Sequence, residues 1–219
     1  FENEVKRFQA GEWNTEHEFM AFRLRQGVYG QRQSDVQMVR VKAPFGGLTA
    51  NQLEALSVFA EKYTPLRKGH ITTRENIQFH HVKLEDAAAG LHILAESGLS
   101  TREACGNTVR NVTGCPMAGV CGDEPFDVTP YAAAYARYFV RHPFSQSMPR
   151  KIKSAFSGCK SDCAITPIHD VGFIPKIKDG VKGFEMFMGG GTSIMPRMAP
   201  TLYDFVSENE YLKVTEAAI

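Results

Sequence analysis

GNTVRNVTGCPMAGVC, residues 106–121, and PRKIKSAFSGCKSDC, residues 149–163, hold four of the five cysteines of the chain in two close pairs. Cys115 and Cys121 enclose five residues; Cys159 and Cys163 enclose three. Four thiolates can surround a cubane iron–sulfur cluster, one sulfur to each iron. Pro116, Ala118, Gly119, Gly122 and Gly158 leave room for backbone N–H groups near the cluster sulfides, and Lys160 adds a positive charge that favours thiolate. Structural zinc usually takes tighter C-x2-C or C-x4-C knuckles, and buried free cysteines are common. Spacing alone therefore leaves a cluster, a zinc site and plain core packing open. Cys105 belongs to neither pair and reads as a packed, inert thiol.

Between and after the pairs the pattern is mixed. Tyr131–Val140 (YAAAYARYFV) has the composition of a helix. Lys151–Phe156, Asp170–Ile177 and Phe184–Met188 read as strands, Gly189–Gly191 as a loop, and Thr201 onward as helix. Upstream, Val36–Lys42 (VQMVRVK) alternates as a half-buried strand does. Thr49 is a good N-cap for a helix carrying Leu53, Leu56, Phe59 and Ala60 that runs toward a stop at Gly69. Ile71 and Ile77–Val82 form a second strand region, and Leu84–Leu94 a second helix stopped by Gly98. This β-α-β-α order suggests one small ferredoxin-like unit. Residues 1–25 read as a lead-in with a possible helix and no clear core face. The expected division is 1–25 lead-in, 26–105 first half-domain and 106–219 second half-domain. The start without Met and the end inside a helix, at Glu216–Ile219, suggest a piece of a longer protein truncated at its C-terminus.

A second set of residues is cationic. Arg74 lies in TTRENIQ, Arg110 in GNTVRN, and Lys151 and Lys153 in PRKIK. Positions 151 and 153 share one face of a strand, and two ammonium groups there repel unless an anion lies between them. A small oxyanion or the carboxylates of a cofactor would suit them, although a single surface lysine is most often merely solvated. Arg23, Arg25, Arg32, Arg40 and Lys42 form another basic stretch with the same two readings. His80 and His81 read as packing or capping residues, and Met186, Met188, Met195 and Met198 as core or loop filler.

Bulk properties narrow the class. At 219 residues, 43% hydrophobic and 22% charged, the chain can bury the core of one large or two small globular domains. A formal net charge of +1 gives no global electrostatic case for nucleic acid or an anionic membrane. No apolar run approaches the roughly 20 residues that span a bilayer. Paired thiols without the density of a disulfide scaffold point to a reducing compartment, hence the cytoplasm or its equivalent.

Taken jointly, these motifs resemble a known family. Gly30–Gln33, Ala43–Leu48 and TTRENIQFHHV are similar to the ferredoxin-like half-domain of nitrite and sulfite reductases. GNTVRNVTGCPMAGVC with PRKIKSAFSGCKSDC, continued by GGGTSIMPRMAPTLYDF, resembles their 4Fe–4S and siroheme half-domain. The implied fold class is α+β, a ferredoxin-like half-domain followed by an α/β siroheme/4Fe–4S half-domain. The implied activity is that of an oxidoreductase giving six electrons to nitrite, to form ammonia, or to sulfite, to form sulfide. Cofactors implied are a 4Fe–4S cluster on Cys115, Cys121, Cys159 and Cys163, and a siroheme that Cys163 bridges to the cluster. The resemblance assigns Arg74, Arg110, Lys151 and Lys153 to catalysis, and Arg32, Arg74 and Arg110, with Cys163, to cofactor binding. Implied partners are a small anionic substrate, an electron donor (ferredoxin or a flavoprotein) and a second half-unit. The alternatives are a cluster-bearing electron-transfer or structural half-module without catalysis of its own, and a zinc-stabilised interaction domain. Family members carry two such halves in tandem, whereas this chain carries one, with both thiols and cations.

Overall fold

The computed structural model describes residues 1–33 and 35–219 and divides into two compact units. The first comprises residues 1–43, 47–108 and 143–150; the second comprises 44–46, 109–142 and 151–219.

The first unit opens with α1 (Glu2–Gln9) and α2 (Glu16–Arg25). Thr15 caps α2 by accepting the Glu18 N–H at 3.2 Å. Residues 1–25 are more than a lead-in. Phe8 stacks on Phe19 at 4.0 Å, Trp13 meets Phe19 edge-on at 5.4 Å, and Val5 and Phe19 are buried. These aromatics are split between two short helices and the turn joining them, so no single 3.6-residue stripe announces their core face.

A four-stranded antiparallel sheet follows, in the order β1 (Val28–Gly30), β2 (Val36–Val41), β4 (Ile77–Lys83), β3 (His70–Ile71). Helices α3 (Ala50–Tyr63) and α4 (Leu84–Glu96) complete the unit. At the start of α3, Thr49 accepts the Gln52 N–H while the Gln52 side chain accepts the Thr49 N–H, a reciprocal capping box. The helix ends at Tyr63, six residues before the expected stop at Gly69. Pro65 forces extended backbone on Thr64 (φ −122°, ψ 132°) and ends the helix first. Val28, Val39, Val41, Leu56, Phe59, Phe79, Val82 and Leu94 form the core between sheet and helices.

The second unit is a five-stranded mixed sheet in the order β5 (Val109–Gly114), β6 (Ile152–Phe156), β7 (Val171–Lys178), β8 (Val181–Met188), β9 (Thr201–Ser207). β5, β6 and β7 run parallel; β8 and β9 return antiparallel. Parallel neighbours need crossovers. The first carries α5 (Thr129–Phe139), and the second a short 3-10 turn at Thr166–Ile168. Under α5 the core is aromatic. Phe156 stacks on Phe173 at 4.4 Å, and Tyr135, Phe184 and Tyr211 meet this pair edge-on. Tyr135 is wholly buried with its hydroxyl 2.8 Å from Ser154 Oγ, and burial pushes its phenol well above the ordinary tyrosine range.

Thr201 does not begin a helix. Residues 201–207 form β9 because their aromatic and β-branched side chains suit a pleated surface once β8 offers a ladder. The terminal helix, α6 (Tyr211–Ala218), starts ten residues later than expected. Among the described residues, no helix is long and apolar enough to cross a membrane.

Candidate cluster and anion site

Parallel pairing explains how distant cysteines meet. Gly114 pairs with Phe156, so the loops leaving the carboxyl ends of β5 and β6 emerge side by side. Cys115 opens the first loop directly after β5, and Cys159 lies in the second, three residues after β6. The carboxyl ends of parallel strands are where such sheets habitually hold ligands.

The first loop is a succession of turns. The Cys115 carbonyl accepts the Ala118 N–H at 3.1 Å, and the Met117 carbonyl accepts the Cys121 N–H at 3.0 Å. Gly119, at φ +82°, takes the left-handed conformation the turn requires. Its N–H is held by the carboxylate of Glu124 at 3.0 and 2.9 Å. In the second loop Asp162 accepts the Thr166 N–H and hydroxyl at 3.0–3.1 Å. Each cysteine loop is thus fastened by a carboxylate.

Cys115 and Cys159 are buried, Cys121 is half-buried and Cys163 is exposed. Cys163 feels the other three thiols. Cys115 foremost, then burial, then Cys159 and Cys121 push the Cys163 thiol above its ordinary value, because like charges so close resist ionisation. Among the described residues no three His, Cys, Asp or Glu side chains are gathered as a single metal ion requires. Four thiols on two adjoining loops match a polynuclear cluster with one thiolate per iron. Gly158 gives one of them room. A Cβ there would lie 3.3 Å from Cys115 Sγ, so glycine leaves the sulfur its space. The donor set therefore fits a 4Fe–4S cluster. Cys105 is buried elsewhere, in the first unit.

Arg110, Lys151 and Lys153 belong to the second unit and are half-buried. Val109 pairs with Ile152 but Val112 with Ser154, so a bulge sets Arg110 and Asn111 opposite Lys153 alone. Ser154 faces Tyr135 of α5, so Lys153 projects to the opposite face of the sheet, and Lys151, one residue before β6, shares that parity. The Lys153 N–H donates to Asp170 Oδ2 at 2.7 Å. Arg110 and Cys115 are five positions apart on one chain direction, about 16 Å at 3.3 Å per residue. Cations and thiols thus occupy opposite ends of the same strands.

Arg74 and Arg32 belong to the first unit. Arg74 is half-buried in the turn between β3 and β4, where Thr72 Oγ1 accepts the Arg74 N–H at 3.2 Å and the Asn76 N–H at 3.4 Å. Arg32 is exposed after β1. Arg40, on β2, is half-buried and donates to the Ala104 carbonyl at 3.3 Å, which makes it a better fixed cation than its place in a basic run suggested. Sequence reasoning also passed over Glu124 and Asp162; a carboxylate within three residues of a ligand cysteine was the available signal. His80 lies on β4 with its imidazole held below its usual value by burial and then by His70, His81 and Arg40. Met186 is core, whereas Met195 and Met198 lie exposed in the loop before β9.

The chain thus carries a four-stranded antiparallel sheet unit and a mixed-sheet unit whose neighbouring crossover loops hold two cysteine pairs. Residues 105–219 match the nitrite and sulphite reductase 4Fe-4S domain, and residues 29–97 the nitrite/sulfite reductase ferredoxin-like half domain. The chain belongs to the nitrite and sulfite reductase family, whose cofactors are a 4Fe–4S cluster and siroheme. It is 34% identical over 200 residues to an assimilatory ferredoxin-dependent nitrite reductase of Haloferax mediterranei, covering 84% of this chain and 34% of the relative. It is 32% identical over 181 residues to a ferredoxin sulfite reductase of Mycolicibacterium paratuberculosis, covering 82% and 32%. The solved structure of the Mycobacterium tuberculosis NirA protein superposes with a TM-score of 0.86 at 26% identity, covering 98% of this chain and 43% of that one. The chain spans about a third of the length of the curated relatives it matches.

Proposed function

We propose that this chain is part of an enzyme that reduces nitrite to ammonia or sulfite to sulfide by six-electron transfer. What supports the reading is the placement of two cysteine pairs on loops that leave the paired carboxyl ends of β5 and β6, with Cys115, Cys159 and Cys121 all acting on the Cys163 thiol. Cys115, Cys121, Cys159 and Cys163 would hold the 4Fe–4S cluster, and Cys163, the exposed one, would be the thiolate open to the siroheme. Bound there, the cluster and siroheme supply electrons to a substrate anion.

The cations have a separate task. Both substrates are anions, and siroheme is itself crowded with carboxylates, so fixed positive charge is needed to hold substrate against that field. Arg74, Arg110, Lys151 and Lys153 supply it, and the lysines can also pass on the protons that each reduction consumes. Arg32, Arg74 and Arg110 take cofactor carboxylates. Arg110, Lys151 and Lys153 lie toward the opposite ends of β5 and β6 from the quartet, so these three cations and the thiols would serve two different cofactor positions. A second half-unit completing each position fits that separation. The functional halves are residues 26–105 and 106–219, preceded by the 1–25 segment. A ferredoxin or flavoprotein delivers electrons in a reducing, cytoplasm-like compartment.

The test is Lys153→Ala in the complete enzyme, assayed with reduced viologen and either nitrite or sulfite. Turnover is expected to fall by about 10²-fold or more, the scale of losing one transition-state charge or proton donor, while siroheme content falls less than twofold. Parallel loss of siroheme and turnover would make Lys153 a cofactor clamp instead. Full turnover would remove it from the mechanism.

A further inference from the structure

Glu124 is tied into the cysteine loop twice. Its backbone N–H donates to the Cys121 carbonyl at 3.3 Å, and its carboxylate accepts the Gly119 N–H through both oxygens. The same carboxylate approaches the other loop. One point, the place a Cβ would occupy on Gly158, lies 3.3 Å from Cys115 Sγ and 3.5 Å from Glu124 Oε2. The Glu124 carboxylate therefore lies within about 7 Å of Cys115 Sγ, on a half-buried side chain that cannot swing away without releasing Gly119. Asp162 differs, since its oxygens are taken up by the Thr166 N–H and hydroxyl within its own loop.

A cluster gains one negative charge when it is reduced. Charge close to a ligand sulfur disfavours that gain, and net charge is one of the factors that set cluster potentials. We propose that Glu124 is a positioning residue that holds the reduction potential of the cluster low, making the reduced cluster a stronger electron donor, through a carboxylate anchored on Gly119 in the neighbourhood of Cys115. The inference rests on the assignment of the cluster to the four cysteines and adds a determinant of how readily it gives up its electron.

The experiment is an EPR-monitored redox titration of the full chain, reconstituted anaerobically with iron and sulfide. Glu124→Gln keeps an acceptor for the Gly119 N–H and removes the charge. Its midpoint is expected to move to more positive potential by at least a tenfold change in the reduction equilibrium, about 59 mV for one electron. Glu124→Asp keeps the charge with a shorter reach and should shift by less than half as much. Should the Gln variant hold little iron, Glu124→Ala takes its place as the neutral variant. An unchanged or more negative midpoint in a neutral variant would overturn the proposal. So would failure of both neutral variants to hold iron while Glu124→Asp holds it, because the side chain would then act on assembly rather than potential. Absence of any cluster signal in the unmutated chain would instead sink the cysteine assignment, a result separate from either of these.

Discussion

Replacing any one of Cys115, Cys121, Cys159 or Cys163 with serine is expected to strip most of the iron and labile sulfide from the protein, while Cys105→Ser leaves both unchanged. A 4Fe–4S cluster uses one thiolate per iron, so each ligand is needed and none substitutes for another. The four positions are not equivalent in burial: Cys115 and Cys159 are enclosed, whereas Cys163 is open to solvent. Cys163→Ser should therefore retain the largest residue of cluster, because water or the introduced hydroxyl can reach the exposed iron corner. Cys105 is buried as deeply as Cys115, so its substitution controls for perturbing a packed thiol. Metal analysis and sulfide assay on anaerobically reconstituted protein make the measurement. Iron content equal to that of the unmutated chain in all four variants would remove the quartet from any cofactor role.

Phe156→Ala is expected to destabilise the second unit by about 3–5 kcal/mol, the usual cost of emptying a buried aromatic site. Phe156 has no exposed surface and lies 4.4 Å from the Phe173 ring, 5.6 Å from Phe184 and 5.7 Å from Tyr135. It also ends β6 directly before the loop that carries Cys159, so the cavity should loosen that loop and lower cluster retention along with stability. Leu202→Ala, on the exposed edge strand β9, removes a side chain of a residue that is already 42% exposed and should stay within about 0.5 kcal/mol. Urea unfolding followed by far-UV circular dichroism compares the two. A loss below about 1 kcal/mol at Phe156 would mean that the aromatic layer repacks freely, against the close packing expected of protein interiors.

Strands β2, β4, β7 and β8 were readable because apolar and β-branched residues cluster or alternate along them, and α3 because its capping box is a local signal. β5 escaped notice. Its Asn111 and Thr113 are buried, so polar residues stand where a strand reading expects apolar ones. Pairing with β6 and packing against α5 and the Pro44–Gly46 turn enclose them. β9 reads as helix in the sequence because its strand character depends on β8 being there to pair with it. Among site residues, the thiol pairs carried their own spacing signal. The meeting of the two pairs did not, since it follows from the parallel register of β5 and β6. Glu124 gave little sign of itself because its partner is a backbone N–H, and no sequence pattern marks which amide a loop will leave unsatisfied.

The central claim is that this chain belongs to a siroheme and 4Fe–4S oxidoreductase, with the cluster on Cys115, Cys121, Cys159 and Cys163. An absorption spectrum of the anaerobically purified protein, taken with its iron, sulfide and zinc content, tests it most directly. A cluster on the quartet gives a broad iron–sulfur shoulder that disappears in the four cysteine variants, overlaid by strong siroheme bands in the complete enzyme. A colourless protein carrying stoichiometric zinc, or one whose colour survives loss of the quartet, would contradict it.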